Sequence, residues 1–391
     1  MGIFSKPQKQ NELALVLDIG SSSVGGALFW MQSTGIPKII FAMREPIPLE
    51  EEISIDKLIT LTVKTLNVVV SKICMMGLGR PSRMYCVLSS PWYASQTRVL
   101  KLEKNTPFIF TEKLADSLIQ KEIALFKEEY KEKDSHPDNQ IRPIELKNMK
   151  TVLNGYDTLR PLNQKAKVLE MTIFASVSQE QILKKVEETI ERHFHSREIR
   201  FSSFVMSSFT VARDMFVNQD NFLLINIGGE VTDISMIKKE IIQESVSYPA
   251  GRNFIIRNVA KGLGVSLVEA KSLISLYKDG HMADITEKKA EEVISSIKTR
   301  WLKKFQESLS NLTNDISIPA TIFITVDQDL AEFFSNIIKT EEFNQYTLTE
   351  SKFRLIFLST SALHGIATFE EDAIRDPFLI IESIYINRFL R

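Results

Sequence analysis

Leu13-Ala14-Leu15-Val16-Leu17-Asp18-Ile19-Gly20-Ser21-Ser22-Ser23 is a short apolar run that ends in a turn signal. Such a run, bounded by glycine and serine, reads as a buried strand. The turn after it exposes successive backbone N–H groups, which can cradle a polyphosphate. The hydroxyls of Ser21, Ser22 and Ser23 add donors. Asp18, at the strand end, is placed to hold the water shell of a Mg²⁺ ion, which takes few carboxylates and keeps several waters. The same residues also suit an ordinary hairpin with a serine turn.

A second copy of the pattern separates these readings. Phe222-Leu223-Leu224-Ile225-Asn226-Ile227-Gly228-Gly229 is again an apolar run, a polar residue and a glycine turn, continued by Glu230-Val231-Thr232-Asp233. The first copy is followed by strand patterns over 25–30 and 38–44, the second by strand patterns over 232–238 and 241–246. The chain thus repeats strand–turn–strand–strand, once near the start of each half. Two such hairpins facing each other across a cleft can grip a nucleotide's phosphates from both sides. Thr232 and Asp233 either line that cleft or satisfy turn hydrogen bonds.

Between the copies, Leu58, Ile59, Leu61, Leu66, Val69, Val70 and Ile73 carry the helix period over 55–74. A strand over 84–90 follows. The character then changes: a charged amphipathic helix over 111–133, a polar loop at 136–139, strands over 141–146 and 149–153, an Asn154-Gly155 turn, a strand over 168–177 and a helix over 179–194. This stretch reads as a small α+β unit with its own core, inserted into the first half. Beyond the second hairpin come helices over 254–260, 267–277 and 286–310, a strand over 320–326 and a helix over 330–338. The expected division is 1–84 for the N-terminal part of a first lobe, 85–196 for the insertion, 197–217 for the return of the first lobe and an interlobe helix, 218–370 for a second lobe and 371–391 for a C-terminal helix or tail.

A length of 391 residues, 44% of them apolar and 25% charged, is the balance of a globular protein of two or three domains. A formal charge of −1 predicts no general attraction to nucleic acid. Cys74 and Cys86 lie in apolar surroundings and read as buried thiols, and the five histidines are too scattered for a metal set. The apolar runs are of strand length, and the polar first residues lack the apolar core of a secretory signal. The expected location is the cytosol.

At this point the two hairpins resemble the first and second phosphate motifs of the actin-like ATPases. Tyr248-Pro249-Ala250-Gly251-Arg252-Asn253-Phe254, then Val259-Ala260-Lys261-Gly262-Leu263 and Val268-Glu269-Ala270-Lys271, resemble the branch that holds the division protein FtsA and the pilus-assembly protein PilM. The inserted unit fits that branch too, with Asn154-Gly155-Tyr156 and 161–176 similar to the strand pair of its SHS2-type subdomain. The resemblance implies an α/β, two-lobed actin-like (ribonuclease H-like) ATPase fold with an inserted α+β subdomain. It implies a Mg-ATP site built from Asp18, Gly20, Ser21, Ser22, Ser23, Asn226, Gly228, Gly229, Thr232, Asp233, Gly251 and Arg252, with Asp18 toward the metal.

The departures from the pattern point the other way. Asn226 stands where the second motif has a carboxylate, and Glu230 where it has a third glycine. A carboxylate there repels phosphate unless it faces away or meets Mg²⁺. Ala270-Lys271-Ser272-Leu273-Ile274 alters both charged positions of the helix signature. Val326-Asp327-Gln328-Asp329 replaces the glycine-rich adenosine turn, so the backbone is held off the purine. Arg252, beside Gly251, either pairs with a phosphate or sits on the surface. The expectation is weak nucleotide binding or none, little hydrolysis and no catalytic residue. An FtsA-like scaffold is the favoured role, joining a division polymer to the inner face of the membrane, with self-association; the apolar tail over 378–390 is either a membrane contact, with Arg388 and Arg391 toward anionic lipid, or a terminal helix packed on the first lobe or docking a partner. A PilM-like cytoplasmic platform binding a membrane-protein peptide is the alternative, and a small-molecule kinase of the same fold a remote one.

Overall fold

The computed structural model describes residues 12–133, 140–195, 198–279, 284–312, 318–339 and 353–390. The polar loop at 136–139 and the first eleven residues lie outside this set.

The first sheet starts from an antiparallel meander, β1 (Glu12–Ile19), β2 (Ser23–Met31) and β3 (Lys38–Pro46). Helix α1 (Ile55–Met75) crosses over to β4 (Arg83–Leu88), which runs parallel to β1. The chain then leaves for the inserted unit: β5 (Ala94–Ile109), α2 (Glu112–Lys133), β6 (Ile141–Leu153), β7 (Tyr156–Asp157) and β8 (Lys165–Gln179). It returns through α3 (Glu180–Phe194), β9 (Ile199–Ser203) and α4 (Phe204–Met215). The second sheet repeats the plan with β10 (Phe222–Ile227), β11 (Thr232–Lys238) and β12 (Ile241–Tyr248). Helices α5 (Arg252–Leu263), α6 (Leu267–Asp279) and α7 (Asp284–Asn311) lead to β13 (Thr321–Val326), and α8 (Ala331–Lys339) leads to β14 (Arg354–Phe357). Last come β15 (Thr368–Phe369) and α9 (Pro377–Phe389).

The strand orders are β15-β3-β2-β1-β4-β9 and β12-β11-β10-β13-β14. Apart from β15 on the first edge, the two are one topology used twice. Side chains alternate across each strand, and both faces of both sheets are covered. On β1, Leu13, Leu15, Leu17 and Ile19 pack with α1 and α3, whereas Ala14 and Val16 pack with α4 and α9. On β10, Phe222 and Leu224 face α4 and α9, whereas Leu223, Ile225 and Ile227 face α5 to α8. That is why the central strands are continuous apolar runs. The molecule is layered: α1 and α3, the first sheet, α4 and α9, the second sheet, then α5 to α8. Among the described residues α1 is the helix long and apolar enough to cross a membrane by length and composition. Here Leu58, Ile59, Leu66, Val69, Val70 and Ile73 bury its inner face on the first sheet.

Two sequence expectations change. The helix over 179–194 was expected inside the insertion. As α3 it puts Ile182, Leu183, Val186, Ile190 and Phe194 into the same core as α1. The insertion proper is the antiparallel sheet β5-β8-β6-β7 with α2. Two strands over 141–153 are one strand, β6, with irregular register at Pro143/Glu145 and Asn148/Lys150. Those bulges break the alternation that a sequence pattern relies on. The Asn154-Gly155 turn is as expected, with φ of 52° and 86°.

Of the two readings of the tail, the structure has the packed terminal helix. Nine of the thirteen residues of α9 are buried, and the helix lies on α4, β1 and β2. Its apolar residues fill the layer between the two sheets, so they do not form a face for lipid. Asp376 caps its first turn by accepting from Leu379 N at 3.0 Å, with Pro377 at the position where a missing N–H does no harm. Arg388, expected toward anionic lipid, pairs with Asp214 at 3.0 Å; Arg391 lies outside the described residues.

Candidate functional site

The two hairpin turns close in the same way. Gly20 N donates to Ser23 O at 3.1 Å, and Gly228 N donates to Val231 O at 3.0 Å. They meet each other directly. Glu230 N donates to Ser21 Oγ at 2.9 Å. A Cβ built on Gly229 would stand 2.5 Å from Ser21 C and 2.5 Å from Ser22 N, closer than carbon ever sits. The start of α5 closes on the second turn as well: Gly251, Arg252 and Asn253 donate their N–H groups to the carbonyls of Glu230, Gly228 and Gly229 at 3.1, 2.9 and 2.8 Å. The free N–H groups of a helix start are a ready anion site; here protein carbonyls take them. Gly229→Ala is expected to push the two turns apart and lower stability by about 1–3 kcal/mol, the usual range for overpacking. Urea unfolding checks this, and a variant as stable as the parent would refute the tight contact.

Arg44 stands on the first turn's side of the cleft. Strand register places Asp18 opposite Gly25 and Gly25 opposite Arg44. Gly25 has no side chain, so the guanidinium lies across it; a Cβ there would meet Nη2 at 2.8 Å. Arg44 reaches Asp18 Oδ2 at 2.7 Å, Asp376 Oδ2 at 2.6 Å and Ser23 Oγ at 2.9 Å. Asp18 is only 2% exposed. Burial raises its pKa, and Arg44 offsets part of the rise. Burial opposes charge on Asp376 too, but there Arg44 and the backbone N–H groups of the helix start win, and its pKa falls below the usual carboxylate value. Glu382 of α9 is fully buried, and its carboxyl hydrogen-bonds that of Asp18. Burial, and then the neighbouring Asp18 charge, push its pKa well up, so it is held as the neutral acid.

Across the cleft Arg252 is not a surface residue. It pairs with Asp327 at 3.2 Å and Asp329 at 2.7 Å. Ser22 Oγ lies 3.5 Å from Asp327 Oδ2. Glu230 faces away from the cradle, where Arg257 grips it with two bonds of 2.7 and 2.8 Å, and Arg257 Nε donates to Glu50 O of the first lobe at 2.7 Å. Asn226 accepts from Thr325 Oγ1 at 3.0 Å, and Thr232 donates to Ala250 O at 2.9 Å. Asp233 accepts from Ser90 and Ser247. Next to the closed cradle, Arg252, Ile256, Lys271, Ser272, Asp329 and Leu330 help line a cavity of about 370 Å³. The altered helix signature at 270–274 and the altered turn at 326–329 therefore do meet in space.

No protein-family model and no curated protein matches this sequence. Solved structures do. A chain of a PilM–PilN type IV pilus biogenesis complex superposes with a TM-score of 0.59 at 11% identity, over 96% of this chain and 95% of that one. This is the actin-like ATPase fold. Weaker likenesses include the ethanolamine utilization protein EutJ from Carboxydothermus hydrogenoformans, with a TM-score of 0.42, 10% identity and coverage of 97% and 90%. Another is a Bacteroides thetaiotaomicron protein of actin-like ATPase fold and unknown function, with a TM-score of 0.39, 9% identity and coverage of 96% and 97%.

Of the actin-like phosphate residues read from sequence, Ser21, Ser22, Gly228, Gly229 and Gly251 form one contiguous contact, while Asp18, Ser23 and Arg252 sit in ion-pair and hydroxyl contacts around it. Arg44, Asp376 and Glu382 were missed. A signal for Arg44 existed: a charge at the end of Phe41-Ala42-Met43, on the strand that the hairpin register sets level with Asp18 and a glycine. None existed for Asp376 and Glu382, which reach the site from the far end of the chain.

Proposed function

We propose that this chain is an actin-fold platform that works by holding a partner protein in the cytoplasm and does not depend on ATP. The carrying observation is Arg44, ion-paired to Asp18 and Asp376 where the first phosphate turn would receive a polyphosphate. The direct contact of Gly229 with Ser21 and Ser22 supports it, because the fold's two phosphate turns leave no gap between them. Asn226, which has no charge, and Asp18, committed to Arg44, are a poor set for the water shell of Mg²⁺. These residues do not fit Mg-ATP.

Between the two scaffold roles of this fold, we favour the PilM-like one. The likeness to a chain of a PilM–PilN complex runs over nearly the whole length of both proteins, and the C-terminal helix is used inside the molecule rather than left for lipid. Calorimetric titration with Mg-ATP, with a phosphate-release assay beside it, tests the nucleotide half. The expected outcome is no saturable heat below millimolar ATP and no release above buffer. Micromolar binding that Asp18→Ala abolishes would sink the proposal.

A further inference from the structure

A second cavity, of about 340 Å³, lies between the β4–β5 connection and strands β11 and β12, beside Val231 of the second turn. That volume is within the range of small-ligand pockets. Its walls include Pro91, Tyr93, Val231, Tyr248 and Pro249. Its polar part is Asp233 with the serines at 90, 95, 235, 245 and 247. Asp233 is the one lining residue that the implied Mg-ATP site also named.

The hydrogen bonding at its floor has a direction. Ser90 Oγ donates to Asp233 Oδ1 at 2.7 Å, and Ser247 Oγ donates to the same oxygen at 2.6 Å. A carboxylate oxygen can only accept, so the single proton of each hydroxyl is committed to it. Both serine oxygens then have lone pairs alone to offer the cavity. Asp233 is 7% exposed, and its Oδ2 has no hydrogen-bond partner. Among the described residues no lysine or arginine pairs with this carboxylate; its partners are the two hydroxyls and the side-chain amide of Asn226, all uncharged. A buried carboxylate without a counter-charge is costly, and the two tyrosines in the wall are ring systems that favour a cation nearby.

We propose that this cavity binds an ammonium or guanidinium head on a short apolar stem, with Ser90 and Ser247 accepting its N–H groups and Asp233 supplying the counter-charge behind them. The head brings donors to the oxygens of Ser90 and Ser247, whose own protons point at Asp233, and positive charge to a carboxylate without a counter-charge. The stem meets Pro91, Val231 and Pro249. Burial raises the pKa of Asp233, and the hydrogen bonds from Ser247, Ser90 and Asn226 offset part of the rise. Such a head reaches the cavity either on a free diamine or on a basic side chain of a partner protein.

The test is calorimetric titration of the full chain with four probes: agmatine, cadaverine, N-acetyl-arginine methylamide and N-acetyl-lysine methylamide, with 1-pentanol as the neutral control. At least one cationic probe is expected to give saturable heat and 1-pentanol none. Binding by the capped residues assigns the head to a partner's side chain, and binding by the diamines alone assigns it to a free amine. Asp233→Asn keeps the shape and an acceptor for both serines and removes the charge; it is expected to weaken binding about tenfold or more. Ser245→Phe, at an exposed strand position, fills the cavity while leaving Asp233 in place and is expected to abolish binding. The proposal is overturned if all four cations are silent at millimolar concentration, if Asp233→Asn binds as tightly as the parent, or if Ser245→Phe, shown folded by circular dichroism, still binds.

Discussion

A chain ending at Arg375 is expected not to fold. The residues removed include Leu379, Ile380, Ile381, Ile384, Tyr385 and Ile386, each at most 2% exposed in the layer between the two sheets. Burial of a large apolar side chain stabilises by about 1.5–3 kcal/mol, so the six together contribute roughly 10 kcal/mol, of the order of a whole protein's net stability. Specific bonds go with them. Asn387 accepts from Gln32 N at 2.7 Å and donates to Gln32 O at 3.2 Å, Tyr385 donates to the buried Glu145 of β6, and Arg44 loses Asp376, its partner at 2.6 Å. Glu145 also accepts from Ser203 N and Oγ, so the anchorage of the inserted sheet is weakened as well. Size exclusion and near-ultraviolet circular dichroism are expected to report aggregation or a chain without fixed packing. A monodisperse truncated protein with cooperative unfolding would refute the interior placement of α9. For the same reason, loss of lipid binding on truncation would say nothing about a membrane tail.

Replacing Arg44 by methionine is expected to cost about 3–5 kcal/mol, the range for breaking a buried ion pair from one side. Asp18 and Asp376 would be left buried with no cation, beside Glu382. The sign of the pH dependence separates this from a simple packing loss. In the parent protein the folded-state pKa of Asp376 is depressed, so its contribution is present above the unfolded carboxylate value of about 4 and is lost as pH falls through the lower folded value. Asp18 and Glu382 have raised pKa values, so what they contribute is held by the protonated form and lost as pH rises through those values. Without Arg44, Asp376 joins the raised group. The variant is therefore expected to regain stability on acidification from neutral pH toward about pH 5, where the parent gains less. Urea midpoints at the two pH values measure this. A variant within about 1 kcal/mol of the parent, the usual range of a surface substitution, or one with the parent's pH profile, would refute the role given to Arg44.

The repeated hairpin was legible because its signals are local. A run of apolar residues ended by a glycine turn needs no knowledge of distant parts of the chain, and Asp18 to Ser23 and Asn226 to Gly229 are both of that kind. The same holds for the helices over 55–74 and 179–194 and for the Asn154-Gly155 turn. Periodicity says which face of an element is buried; it is silent about the surface that covers that face. That silence misplaced α3 in the insertion and left α9 with two readings, packed helix or lipid contact.

The chemistry of the cleft was less legible than its frame. The altered residues at Asn226, Glu230, Lys271 and Asp327 are visible one by one, and they point to an impaired nucleotide site. Why the phosphate turns touch, and what occupies their flank, depends on contacts between residues far apart in the chain. Arg44 lies level with Asp18 only once three strands are in register, and Asp376 and Glu382 join them only when α9 enters the space between the sheets. Asp233 gains Ser90 from the other lobe in the same way. From sequence alone came the repeated strand–turn unit and hence the actin-like frame, because backbone turns and side-chain alternation are short-range properties. The tertiary structure alone decided that the opening Asp18 turn is paired to an arginine and packed against its twin, because ion pairing and closure are properties of register and layer packing.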